Sequence, residues 1–133
     1  MDEALKRRIF DTLIDHGATY AEVLYNGGHD EGGIDSISLV LEDGSHKELK
    51  YKWVNRNYNY ERREWVQTEK LEPEVQEEND LWDLLGGIVY SQWGSFAGEF
   101  YVEGTIEYDV AGYKITKSEN VEVPSWEQNT EEW

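Results

Sequence analysis

The side chains of this chain whose types could do chemistry are three histidines, a glycine-rich stretch flanked by carboxylates, and a run of lysines and arginines among aromatic rings. His16, His29 and His46 fall at neither the H-E-x-x-H nor any other zinc spacing, and with no cysteine in the chain there are no thiolate ligands, no thiol catalysis and no disulfide framework. The stretch YNGGHDEGGI, residues 25 to 34, carries four glycines and brings Asp30, Glu31 and the following Asp35 near one another as oxygen ligands for a divalent cation. The spacing is not that of an EF-hand loop. The same residues have a purely structural use, since glycine reaches φ values that other residues resist and Asp30 can accept from backbone N–H groups two residues on. There is no G-x-S-x-G elbow, no Walker loop and no dinucleotide fingerprint. With 29 acidic residues, spacing alone singles out no acid and base pair of the glycosidase kind. No catalytic set, metal site or cofactor is therefore expected.

Residues 46 to 70, HKELKYKWVNRNYNYERREWVQTEK, hold seven basic against four acidic residues, a local net of +3. Lys47, Lys50, Lys52, Arg56, Arg62 and Arg63 are interleaved with Tyr51, Trp53, Tyr58, Tyr60 and Trp65. Cations among aromatic faces grip single-stranded nucleic acid or a phosphorylated ligand in many proteins. They serve equally to pair with a protein's own acidic elements and to stack on its own rings. The surrounding charge favours the second use, because 12 basic residues against 29 acidic ones give a formal net charge of −17, a field that repels nucleic acid and anionic membranes and attracts basic surfaces. Residues 71 to 133 hold 15 acids against Lys114 and Lys117 alone, a net of −13.

The elements that must position these groups follow from periodicity. Residues 2 to 16 place Leu5, Ile9, Phe10, Leu13 and Ile14 along a helical stripe ended by Gly17. TYAEVLY and IDSISLVLED alternate with period 2 and read as strands on either side of the glycine-rich stretch. Asp43-Gly44 signals a hairpin into a third strand, HKELKYKWV. Residues 55 to 68 fit either an extension of that hairpin or a fourth strand. A second helix is expected over LEPEVQEENDLWDLLGGIVYSQ, with Pro73 in its first turn. EFYVEG, TIEYDV and YKITKS read as three further strands. The result is an α+β domain over residues 1 to 123, a mostly antiparallel sheet with two helices packed on one face, followed by an acidic tail over 124 to 133 expected to fray. MDEALKRRIF has no apolar h-region and no apolar run approaches membrane-spanning length, so a cytoplasmic setting is expected.

Tyr25, Gly27, Asp30, Gly32 and Ile34 resemble, in type and spacing, the Y-x-G-x-G-D-S-G-x-I hairpin of a family of small uncharacterised proteins from bacteria, plasmids and phages. WGSFAGEFYVEGTIEYDV is similar to that family's second half, where a Trp and glycines precede a strand pair. His29 stands where the pattern has Gly, and Glu31 where it has Ser. The resemblance implies the same fold and a mobile-element or phage setting, and carries no activity with it.

The acidic run Glu72, Glu74, Glu77, Glu78, Asp80 and Asp83 and the strand carboxylates Glu99, Glu103, Glu107 and Asp109 are the expected partner-binding residues, with Glu119 and Glu122 extending the field. One use of them is solubility. The other is mimicry of a phosphate backbone toward a nucleic-acid-binding host protein, with no direct contact to nucleic acid or membrane. The alternative function is a small ligand- or cation-binding domain built on the glycine-rich hairpin or on segment 46 to 70.

Overall fold

A computed structural model describes residues 1–29, 31–53, 56–67, 70–94, 96, 100–122 and 126–133. The first helix, α1 (Glu3–Asp15), begins where the Asp2 carboxylate accepts from the Ala4 N–H at 3.1 Å and ends where Gly17 takes φ 71°. Ile9, Phe10 and Leu13 enter the core, whereas Ile14 is 55% exposed and Leu5 also faces water. At 3.6 residues per turn, those two lie about 90° from the centre of the buried set, at the margins of the expected stripe.

Two long strands follow, β1 (Ala18–Gly28) and β2 (Glu31–Leu41), and then the short β3 (His46–Glu48). The third strand was expected to run on to residue 54, but beyond Leu49, whose N–H still donates to the Ile37 carbonyl at 2.8 Å, the backbone finds other partners. Lys50 N–H donates to the Glu78 carboxylate at 2.8 Å, Lys52 N–H donates to Asn79 Oδ1 at 2.9 Å, and Asn79 Nδ2 donates to the Lys52 carbonyl at 2.8 Å. These side-chain bonds take the place of a strand ladder. Strands β4 (Arg56–Asn59) and β5 (Glu64–Gln67) form a separate two-stranded hairpin.

The second helix, α2 (Pro73–Trp93), is followed by β6 (Tyr101–Asp109), β7 (Lys114–Glu122) and β8 (Trp126–Glu132). Two of the strands expected from the sequence thus merge into β6, and β7 runs four residues further than YKITKS. The tail that was expected to fray supplies β8, which pairs with β7 from Glu122–Trp126 to Thr116–Glu132. The main sheet has the order β3-β2-β1-β6-β7-β8, antiparallel throughout. Both helices cover one face, giving the expected α+β class: Leu81, Leu85, Ile88 and Val89 of α2 and Ile9, Phe10 and Leu13 of α1 share one core with Ala21, Val23, Ile37, Leu39, Ile106 and Tyr108.

Gly86 and Gly87, adjacent in α2, have different surroundings. A Cβ on Gly86 would collide with Cδ1 of Ile34, the movable end of a partly buried side chain; a Cβ on Gly87 would meet nothing within 4 Å. Gly87→Ala is expected to raise stability by about 0.5–1 kcal/mol through helix propensity. Gly86→Ala is expected to gain less, because Ile34 must turn its Cδ1 aside, and urea denaturation of the two variants checks the contrast.

Candidate functional site

Period-2 alternation divides each strand between the covered face and an open one. On the open face β1 places Tyr20, Glu22, Leu24 and Asn26, β6 places Glu103, Thr105, Glu107 and Asp109, and β7 places Lys114, Thr116, Ser118, Asn120 and Glu122. The register sets Glu22 directly across from Glu107, and Tyr20 across from Asp109. Side chains so paired have Cβ atoms about 5 Å apart, and like charges in that position are destabilising. The next strand positions outward from this pair are Ser38 on β2 and Thr116 on β7, neither of them cationic. Tyr20 hydrogen-bonds Glu107, and partial burial followed by that bond holds its phenol well above the ordinary tyrosine range. Glu48 and Glu132 lie further out in the same row, and Lys114 meets Glu132 at 3.1 Å.

Beside this row the face dips into a hollow of about 380 Å³ edged by Asn26, Asp35, Glu103, Asn120 and Gln128. Asp35 reaches it because the β1–β2 register slips between Leu24–Ser36 and Tyr25–Ile34, leaving Asp35 as the extra residue of a bulge; its carboxylate accepts from Asn26 Nδ2 at 2.6 Å. Two carboxylates and three amides around one depression suit a lysine or arginine head group.

The expected partner-binding residues do not form one surface. Glu103, Glu107 and Asp109 share the open sheet face with Glu122. The acids of α2 ride on the helix covering the opposite face, so Glu74, Glu77, Asp80 and Asp83 point away from the strand set. Glu72 is the N-cap position of α2 and makes no side-chain cap bond, Glu78 holds the Lys50 amide, and Asp80 accepts from Gln76 at 2.9 Å. Glu99 and Asp30 lie outside the described residues.

Glu119 does not extend the acidic field. It points into the covered face and is 6% exposed, beside Lys117 at 3%. Its carboxylate accepts from Tyr25 Oη at 2.8 Å, from Trp93 Nε1 at 3.2 Å and from Lys117 Nζ at 3.3 Å. Lys117 also donates to Gln92 at 2.9 Å and lies 3.6 Å from Glu131. Sequence reading missed this cluster, although the parity of Ile115 and Val121 puts the two residues between them on the inner face. Burial, then the bond to Glu119, raises the Tyr25 phenol far above its ordinary value; burial alone does the same to Tyr108, which donates to the Leu85 carbonyl at 2.6 Å. Both protons are held more tightly folded than unfolded, so their contribution is complete below about pH 10, the unfolded value, and is lost as pH rises toward the folded one. Each of these two phenols is expected to withdraw about 1.4 kcal/mol of stability per pH unit above pH 10, so Tyr25→Phe and Tyr108→Phe should each flatten the alkaline fall of the urea midpoint.

Packing accounts for three glycines of the hairpin, Gly27, Gly28 and Gly32. The Phe96 ring, fully buried, lies against Gly27 and Gly32, and a Cβ on Gly28 would strike the Phe100 carbonyl. His29 closes the turn at φ 52° and is exposed, His16 caps α1, and His46 begins β3. Among the described residues no three His, Asp or Glu side chains are grouped to hold a metal.

Segment 46 to 70 divides in two. Tyr58, Tyr60 and Trp65 cluster on the β4–β5 hairpin, with ring centroids 4.9 and 5.5 Å from that of Tyr58, and all three are exposed. Tyr51 and Trp53 instead face Trp82 and Tyr90 of α2 across a groove of about 710 Å³. Among the described residues no helix is long and apolar enough to cross a membrane. No protein-family model matches the chain, and neither a curated protein nor a solved structure matches it.

Proposed function

We propose that this chain is an acidic protein-binding domain whose open sheet face meets a basic surface of a nucleic-acid-handling protein and occupies the path of the phosphates. The observation that carries the reading is the Glu22–Glu107 pair, two carboxylates opposed on neighbouring central strands with the neutral Ser38 and Thr116 flanking them; Glu103 and Asp109 lie along the same strand, Asp109 with Lys114 opposite it. Such an arrangement costs folding free energy that a Thr or Lys at either position would spare. A partner that brings lysines and arginines to the face repays that cost on binding. The resemblance of residues 25 to 34 to a hairpin of bacterial, plasmid and phage proteins supports a mobile-element setting, in which the target is a host protein, and carries no activity of its own.

The test compares two charge-neutralised variants. Glu22→Gln, Glu103→Gln, Glu107→Gln and Asp109→Asn together remove the open-face field; Glu74→Gln, Glu77→Gln and Asp80→Asn remove the helical one. Affinity capture from a bacterial lysate at low and high salt is expected to recover a basic nucleic-acid-binding protein at low salt only, with wild type and the helical variant but not with the open-face variant. Equal capture by all three, or no basic protein from any, refutes the reading. The single substitution Glu22→Gln is expected to stabilise the fold by about 0.5 kcal/mol while weakening capture, a divergence that solubility alone does not produce.

A further inference from the structure

We infer that the groove between Tyr51, Trp53, Trp82 and Tyr90 is a binding site for a compact organic cation of the alkylammonium class. It lies beside α2 on the helical side of the sheet, and its occupancy does not depend on the role of the open face. Its volume of about 710 Å³ is that of a small-molecule site. Trp53 is 84% exposed and Tyr90 48%, so two large rings face water at the groove's mouth.

The angles between the rings decide the ligand class. Trp53 stands 69° to Tyr51 with centroids 5.0 Å apart, and Trp82 is tilted 52° to the same ring at 6.0 Å. A nucleobase is held by stacking on an aromatic face, and it is sandwiched only where two faces run parallel. Steeply inclined faces instead surround a rounded group from several sides, and the negative face of each ring attracts a cation, as in aromatic cages for quaternary ammonium. Lys50 and Asp83 are the charged residues of the lining, one of each sign. The remaining field is that of a chain with a net charge of −17, which draws cations in and opposes phosphates.

The cation can be a free amine or a lysine side chain, methylated or not, in a peptide, and the experiment separates these sources. Choline is titrated against the whole protein at constant ionic strength with tryptophan fluorescence as the readout, beside its neutral isostere 3,3-dimethylbutan-1-ol, AMP, and a short peptide carrying trimethyllysine. Choline is expected to saturate and to bind about tenfold more tightly than the neutral isostere, and Trp53→Ala, an exposed position whose loss leaves the core intact, is expected to weaken it by a similar factor. A trimethyllysine peptide binding tighter than choline assigns the site to a protein partner; equal or weaker binding assigns it to a free amine. Lys50→Gln discriminates by sign, because removing this ammonium tightens a cation and loosens a phosphate. Saturation by AMP with no response to choline, equal binding of choline and its isostere, or weaker choline binding in Lys50→Gln each overturns the inference. Failure here leaves the capture experiment on the open face untouched.

Discussion

Glu119→Ala is expected to lower stability by about 3 kcal/mol or more, among the largest losses available to a single side chain in this fold. The carboxylate it removes serves three donors at once, the Tyr25 hydroxyl, the Trp93 indole and the Lys117 ammonium. Lys117 keeps Gln92 and Glu131, but Glu131 is half exposed and 3.6 Å away, so a buried lysine would lose its one buried counter-charge among the described residues. A buried ion left without its partner costs far more than the pair contributes, because desolvation of both ions is already incurred on folding. The same argument predicts that joint replacement of Lys117 by Met, Glu119 by Leu and Tyr25 by Phe lies closer to wild type than Glu119→Ala alone. Urea denaturation at pH 7 orders the variants. If Glu119→Ala costs no more than an exposed Glu→Ala such as at Glu74, water enters the cluster and the burial argument fails.

The cluster also marks where local periodicity stops being readable. KITKSENVE alternates strictly, and its inner positions are Ile115, Lys117, Glu119 and Val121. Charge at the middle two positions suggests a strand that has ended, and only the width of the covering helical layer, which reaches β7 through Gln92 and Trp93, reveals that it continues. The two layers themselves were legible, because α1 and the central strands carry unambiguous patterns. Their arrangement already implied that carboxylates on α2 and outward carboxylates on β6 face opposite ways, since helices cover the strand face that these strand acids avoid. What no local pattern holds is the pairing of β1 with β6, two strands far apart in sequence. The opposed Glu22 and Glu107 arise only from that register. The groove at Trp53 was hidden for a related reason: it depends on Glu78 and Asn79 of the second helix capturing the backbone after β3.

Gly27→Ala is expected to cost about 1–3 kcal/mol, where Gly33→Ala, in the same hairpin, costs little. A methyl on Gly27 would collide with the Phe96 ring and stand 2.7 Å from the Cα of Gly32 across the ladder, whereas the nearest atom to a methyl on Gly33 is the Tyr90 hydroxyl at 3.8 Å. Phe96 is fully buried and itself held at φ 60°, which leaves the ring little room to retreat. Gly27 and Gly32 are therefore a seat for an aromatic ring that arrives from the far end of α2. A double-mutant cycle isolates that contact. In a Phe96→Ala background, already weakened by about 3–5 kcal/mol, Gly27→Ala is expected to lose most of its cost, because the new methyl then fills space the ring has vacated. An undiminished cost in that background would place the obstruction in the Gly32 backbone alone, and the ring would no longer account for the glycine.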